Sequence, residues 1–369
     1  MPTQHHDDPR LNTATIKSGI VAGLVAMARE HGVGCDGWFS GLRLGPAAFD
    51  GETPVYLSYR QACQIMRRAM RSLPVHGPGL VLGQQQGIGH FGLLGLAMLT
   101  APQFAQALQL GIRYAPITGA MMELELDEHD DGAMSVVARM VSTDAELEPF
   151  LCEELFASSL MLCRGLLGPE FRPRVLELTY APPSYAADYV HLFACEVRFD
   201  APRNRVVIDP RWLQSAMPAN NTASAQQIIA LCDEQMPAGQ PRSEIVAVVE
   251  RLLRQRVADN PREVEIASEL HLTERTLRRQ LHAAKTSFSE LHDRVRSESA
   301  LALLADSRVS IAHVGAAVGF KDAREFRRAF KRWTGVAPRE MRAGEKPEAS
   351  DRVAADAASG VPSGVSSEA

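Results

Sequence analysis

Two stretches decide how this chain reads: Thr273-Glu274-Arg275-Thr276-Leu277-Arg278-Arg279-Gln280-Leu281-His282-Ala283-Ala284 and Asp322-Ala323-Arg324-Glu325-Phe326-Arg327-Arg328-Ala329-Phe330-Lys331-Arg332-Trp333. In the first, Leu277, Leu281 and Ala284 recur at i, i+4 and i+7, the spacing of a buried helical stripe. Arg275, Arg278, Arg279 and His282 recur on the opposite face. In the second, Phe326, Phe330 and Trp333 make the apolar stripe, and Arg324, Arg327, Arg328 and Lys331 make the basic one. Thr273 and Asp322 stand where each helix needs an N-cap, with short side chains that accept a free amide of the first turn. Adding 49 to each of these positions in the first stretch lands on its counterpart in the second.

Upstream of each stretch lies a second short helical pattern, residues 263–272 and 311–320. There Ile266, Ala267 and Leu270 answer to Val314, Gly315 and Val318 at an offset of 48. Ala267 and Gly315 are small where two crossing helices must approach closely, and Gly319 supplies a turn that needs positive φ. Helix, tight turn and helix with a basic outer face is the helix-turn-helix arrangement, and here it occurs twice. Between the copies, residues 288–304 space Leu291, Val295, Ala302 and Leu303 as a connecting helix.

The chemistry this pattern serves is recognition of double-stranded DNA. A helix fits the major groove, where Arg bonds guanine N7 and O6 in a fork, while other cations neutralise phosphates and release counterions. Residues near each helix start reach deepest, so Arg275, Arg278, Arg279, Arg324, Arg327 and Arg328 are the candidates for base edges. Thr273, His282, Lys331 and Arg332 are the candidates for phosphates. Glu274 is within helical reach of Arg278, and Glu325 interrupts the second basic face. Two such units on one face of a duplex would enter groove segments ~34 Å apart.

Outward from this region the charge changes sign. Residues 241–343 carry 20 Lys+Arg against 14 Asp+Glu, whereas residues 1–240 carry 17 against 25 and residues 344–369 carry 2 against 5. A basic module follows an acidic one, the asymmetry expected when only part of a chain meets a polyanion. The prolines and glycine of Met236-Pro237-Ala238-Gly239-Gln240-Pro241-Arg242-Ser243 mark a junction. The expected organisation is residues 1–236 as an α+β domain, to which the family resemblance described below assigns effector binding and dimerisation, 237–243 as linker, 244–343 as an all-α double helix-turn-helix domain, and 344–369 as a disordered tail. The absence of a basic-then-apolar start and of any ~20-residue apolar run argues for a cytoplasmic chain with no membrane partner.

Within the first part, helical spacing spans residues 13–30, Ser58 caps a helix to Ser72, and a long apolar helix covers 147–167. Residues 121–126 and 134–140 flank Asp130-Asp131-Gly132 as a hairpin, and short strand-like runs follow at 175–180, 197–199 and 206–208. Gly87-Ile88-Gly89-His90-Phe91-Gly92 spells a dinucleotide fingerprint after a strand-like run at 80–83. The acid that should hold the ribose about 20 residues on is missing, and Arg113 stands there instead. No nucleotide cofactor is expected. Gln84, His90, Arg113 and Tyr114 are polar groups that could line a pocket, the candidates for the effector site that the resemblance below implies. Glu153-Glu154, adjacent on a helix and therefore diverging, reads as solvated charge.

The C-terminal region resembles the DNA-binding domain of AraC/XylS-type transcription regulators. The resemblance rests on Ser310-Ile311-Ala312, Val318-Gly319-Phe320, and the run from Phe326 through Trp333-Thr334-Gly335-Val336-Ala337-Pro338. Leu272 to Leu281 with Thr286-Ser287-Phe288 matches the first motif of the same domain. Met341 stands where that family usually has an aromatic. Residues 91–98, Ala107-Leu108 and 193–199 are similar to the effector domain of one branch of the family. The resemblance implies a small-molecule effector, a homodimer, and RNA polymerase as a further partner.

Two other readings compete. One is a DNA-repair methyl-acceptor enzyme carrying the same DNA-binding domain. The six cysteines (Cys35, Cys63, Cys152, Cys163, Cys195, Cys232) are scattered and form no C-x-x-C pair, so neither that chemistry nor a metal site is expected. The other is a ligand-independent architectural DNA binder, which leaves 240 acidic residues without a role. The expectation is a regulator and not an enzyme.

Overall fold

A computed structural model describes residues 9–51, 55–236, 243–306 and 308–342. The expected linker, Ser243 apart, and the expected tail lie outside the described residues. The chain divides into two compact units, residues 1–248 and 249–369.

The first unit is mixed. Strands β1 (Ile16–Lys17) and β2 (Tyr56–Leu57) pair antiparallel. The helices are α1 (Gly19–Glu30), α2 (Tyr59–Ser72), α3 (Pro78–Gln84), α4 (Gly92–Leu99), α5 (Phe104–Thr118), α6 (Glu148–Leu167), α7 (Ala186–Phe193), α8 (Pro210–Leu213) and α9 (Thr222–Gln235). Ser58 caps α2 as its sequence requires: the hydroxyl accepts from the Gln61 amide and the Gln61 side chain accepts from the Ser58 amide, both at 3.1 Å.

Strands β3 (Met122–Glu128), β4 (Met134–Met140), β5 (Val175–Glu177), β6 (Glu196–Arg198) and β7 (Asn204–Ile208) form a five-stranded sheet in the order β3-β4-β7-β5-β6. Its β3–β4 pair is the expected hairpin, with Met122 opposite Met140. Only β5 and β6 run parallel in it, so the unit is α+β rather than doubly wound.

Two local expectations fail. Residues 80–83 are not a strand but the middle of α3, whose start is set by Gly77 at φ +57° and by Pro78 in the first turn. The glycine fingerprint therefore follows a helix and continues as a 3-10 turn (Ile88–Phe91), which removes the strand a dinucleotide site needs. Helix α1 begins at Gly19 rather than near residue 13, because the preceding residues are drawn into β1.

Glu153 and Glu154 are not solvated; both are buried. Helix α3 packs so closely on α6 that a Cβ on Gly79 would lie 2.5 Å from the Phe150 carbonyl oxygen, and one on Gly83 would lie 2.6 Å from Ala157 Cβ. That approach covers the acidic pair. Glu153 accepts hydrogen bonds from the Tyr185 and Tyr189 hydroxyls at 2.9 and 2.5 Å. Glu154 accepts from Gln86 Nε2 at 2.7 Å, and burial pushes its carboxyl up to about 7.

Helix α10 (Glu244–Gln255) carries the chain across the division. The second unit is helical: α11 (Glu263–Glu269), α12 (Glu274–Ala283), α13 (Phe288–Leu304), α14 (Ile311–Ala317), α15 (Ala323–Thr334) and α16 (Pro338–Arg342). Ala300, Leu304, Val314, Val318, Phe326 and Phe330 form one apolar core there, with Phe320, Trp333 and Met341 packed against it.

Candidate nucleic-acid interface and sensing cavity

The two repeats share their turn hydrogen bond and differ by one residue in how the second helix is capped. Thr273 Oγ1 accepts from the Thr276 amide at 3.2 Å to start α12, and Asp322 Oδ1 accepts from the Arg324 amide at 2.7 Å to start α15. In the first turn the Leu272 amide donates to the Ala267 carbonyl at 2.8 Å; in the second the Phe320 amide donates to Gly315 at 2.9 Å. These partners are 48 residues apart in sequence. The expected stripes are inside: Leu277, Leu281, Phe326 and Phe330 are all buried.

All ten DNA-facing candidates are exposed: Thr273, Arg275, Arg278, Arg279, His282, Arg324, Arg327, Arg328, Lys331 and Arg332. Their engagement differs. Arg278 clamps Glu263, with Nε at 2.9 Å and Nη2 at 2.7 Å from Oε2, and Nη2 also reaches Glu274 at 3.1 Å. The Glu274 contact is the one helical spacing foretells; Glu263 lies on α11 and needed the fold to bring it near. Arg332 pairs with Asp293 of α13 at 2.9 Å. Among the described residues, the side chains of Arg275, Arg279, Arg324, Arg327, Arg328 and Lys331 make no ion pair or hydrogen bond.

Sequence reasoning passed over Arg296. It sits on α13 beneath the second repeat, 7% exposed. Its Nε donates to the Val318 carbonyl at 2.8 Å, and its guanidinium lies 3.7 Å from the Phe320 ring centroid. Burial pulls its pKa below the usual arginine value. It ties the turn of the second repeat to the connecting helix.

The matches to known families follow these features. Residues 32–217, half of the chain, match the arabinose-binding domain of AraC transcription regulators, and residues 266–344 match a helix-turn-helix domain. The chain belongs to the AraC-type family of transcription regulators. It is similar to the ornithine utilization regulator of Pseudomonas aeruginosa, with 28% identity over 319 residues covering 86% of this chain and 94% of that one. It is also similar to the transcriptional regulator VqsM of the same organism, at 25% identity over 72% of this chain and 83% of that one. Among solved structures, CdpR from Pseudomonas aeruginosa matches at 23% identity over 88% of this chain and 98% of that one, with a TM-score of 0.42. These relatives are regulators, not enzymes. The regulator's six cysteines are free, and five of them are buried. No described helix is long and apolar enough to cross a membrane.

In the regulator's first unit, the four residues expected to meet an effector are not brought together. Gln84 is exposed at the end of α3, where its Nε2 donates to the Leu80 carbonyl at 3.2 Å. His90 is exposed and accepts at Nδ1 from the Gly87 amide. Arg113 and Tyr114 both turn to Asp233 of α9, at 2.9 and 2.7 Å. The unit's apolar cavity lies elsewhere, among α4, α5, α6 and one face of the sheet, and has a volume of ≈ 100 Å³. None of the four residues lines it.

Proposed function

We propose that this regulator reads duplex DNA by laying α12 and α15 in the major groove, and that a small molecule bound to the first unit sets how well it does so. The observation that carries the reading is the row of exposed, unpaired cations on two capped helices whose opposite faces are buried. Arg275, Arg279, Arg324, Arg327 and Arg328 reach for base edges. Arg278 joins them once it lets go of Glu263. Thr273, His282, Lys331 and Arg332 take phosphates. An effector changes DNA binding only if its affinity differs between the DNA-competent and DNA-incompetent poses.

Selection of bound duplexes from a random pool by the full chain tests this. The expected product contains two short conserved segments about one helical turn apart. A pool with no enriched sequence overturns the reading. Operation as a homodimer is part of the proposal; it predicts two such half-sites per operator and a dimer mass by light scattering. Contact with RNA polymerase is a further partner that activation assays on the selected site would test.

A further inference from the structure

The cavity in the first unit carries a statement about effector chemistry. None of its lining residues is charged. The polar side chains that line it are Thr118, Ser159 and Cys163. Thr118 Oγ1 is spent on the Ala115 carbonyl at 2.8 Å, and burial pushes the Cys163 thiol up to about 12, so it stays neutral. The Ser159 hydroxyl, on α6, makes no hydrogen bond among the described residues. An ammonium or carboxylate entering here would lose its hydration without a counter-charge, and most hydroxyls of a sugar would be left without a partner. An apolar cavity of comparable size holds a single benzene ring.

We propose that the effector is a small uncharged aromatic or alkyl molecule with one hydrogen-bonding group, held in this cavity with that group at Ser159 Oγ. This rests on the effector-controlled reading above and narrows its ligand class. It separates the chain from what two names among its matches denote, arabinose and ornithine.

The test uses the full chain, with p-cresol and toluene as apolar probes against L-ornithine and L-arabinose. Both arenes at millimolar concentration should raise Tm by roughly 2–4 °C, with p-cresol the tighter, while the amino acid and the sugar leave it in place. Ser159→Ala should weaken p-cresol about 5-fold by calorimetry and leave toluene unchanged. Ser159→Leu, which fills the space, should abolish both; if that variant does not fold, the Ser159→Ala contrast still decides. Failure of both arenes to bind, or an unchanged p-cresol affinity in Ser159→Ala, overturns the proposal. If ornithine or arabinose binds and alters DNA retention, the ligand class is wrong and effector control survives. If p-cresol binds at Ser159 without altering DNA retention, the ligand class stands and effector control falls.

Discussion

The two helix-turn-helix units share a backbone plan and differ in what surrounds it. The first is built on Ile266, Leu270, Leu277 and Leu281 and is ringed by acids: α11 brings Glu263, Glu265 and Glu269, and α12 brings Glu274. Arg256 is held by Glu265 and Glu269, and Arg278 by Glu263 and Glu274. The second has no acid on α14, an aromatic core of Phe320, Phe326, Phe330 and Trp333, and the buried Arg296 as a strut. On α12 the central Arg278 is engaged by neighbours and Arg275 and Arg279 are not. On α15 Arg327, the counterpart of Arg278, makes no ion pair among the described residues, and the paired cation is Arg332 at the helix end. The difference teaches that a repeated scaffold need not mean repeated affinity, and that α15 should dominate DNA binding.

The largest effect should come from α15 itself. Arg327→Ala with Arg328→Ala should weaken binding to the selected site by about 100-fold and relax preference at one or two base pairs. Arg278 is the counterpart of Arg327, yet it must leave two carboxylates before it can reach DNA. Arg278→Ala with Arg279→Ala, the matching pair, should therefore cost roughly a tenth of that factor. Equal losses in electrophoretic-mobility titrations at fixed salt would break the comparison.

Next in size is the strut. Arg296→Met keeps the alkyl stem but removes the hydrogen bond to Val318 and the stacking on Phe320. It should cost the second unit about 3 kcal/mol in denaturant unfolding. A loss below about 1 kcal/mol would mean that the aromatic core holds the turn unaided.

What could be read from sequence in this part of the chain was local. The stripes, the caps at Thr273 and Asp322, and the turn at Gly319 each depend on residues within one helix or its neighbour, so spacing alone exposes them. Arg296 was hidden because its partners lie on other elements, and a basic residue on an amphipathic helix looks solvated until the fold covers it. The compact unit of residues 1–248 shows the same limit. Leu80–Gly83 is too short an apolar run for period to separate strand from helix. Glu153 and Glu154 are buried only because glycines of α3 let it close on α6 and because Tyr185 and Tyr189 arrive from more than 30 residues away. The expected effector residues were chosen for local polarity, whereas the cavity is apolar and assembled from segments spread between Phe91 and Ile208.

The turns offer the third contrast. Gly319 sits at φ +81°, and a Cβ there would lie 2.8 Å from the Val257 carbonyl oxygen. Gly319→Ala adds left-handed strain to that clash and should destabilise the second unit by about 2 kcal/mol, measured by calorimetry. An unshifted transition would mean that the residue 257–260 segment yields freely. A smaller effect tests the acids. Glu263→Gln removes the charge from the clamp on Arg278, and should tighten DNA binding about threefold while steepening the salt dependence. No change in either would show that DNA already displaces Glu263 at no cost.

The smallest effect concerns the residue that stands where Gly319 does in the second repeat. His271, 48 positions earlier, has the same left-handed backbone, at φ 54°, but carries a side chain. It is exposed and its amide closes the turn onto the Ser268 carbonyl at 2.9 Å, so the imidazole contributes no packing that a glycine would forfeit. Against the relief of strain stands the greater freedom glycine has in the unfolded chain. The relief is the larger of the two, and His271→Gly should stabilise the first repeat by about 0.5 kcal/mol with DNA affinity unchanged. The opposite signs expected at the two turns follow from one backbone requirement met by different residues. If His271→Gly destabilises instead, the imidazole is holding its turn through a contact of its own, and the first repeat is less of a bare scaffold than its burial implies.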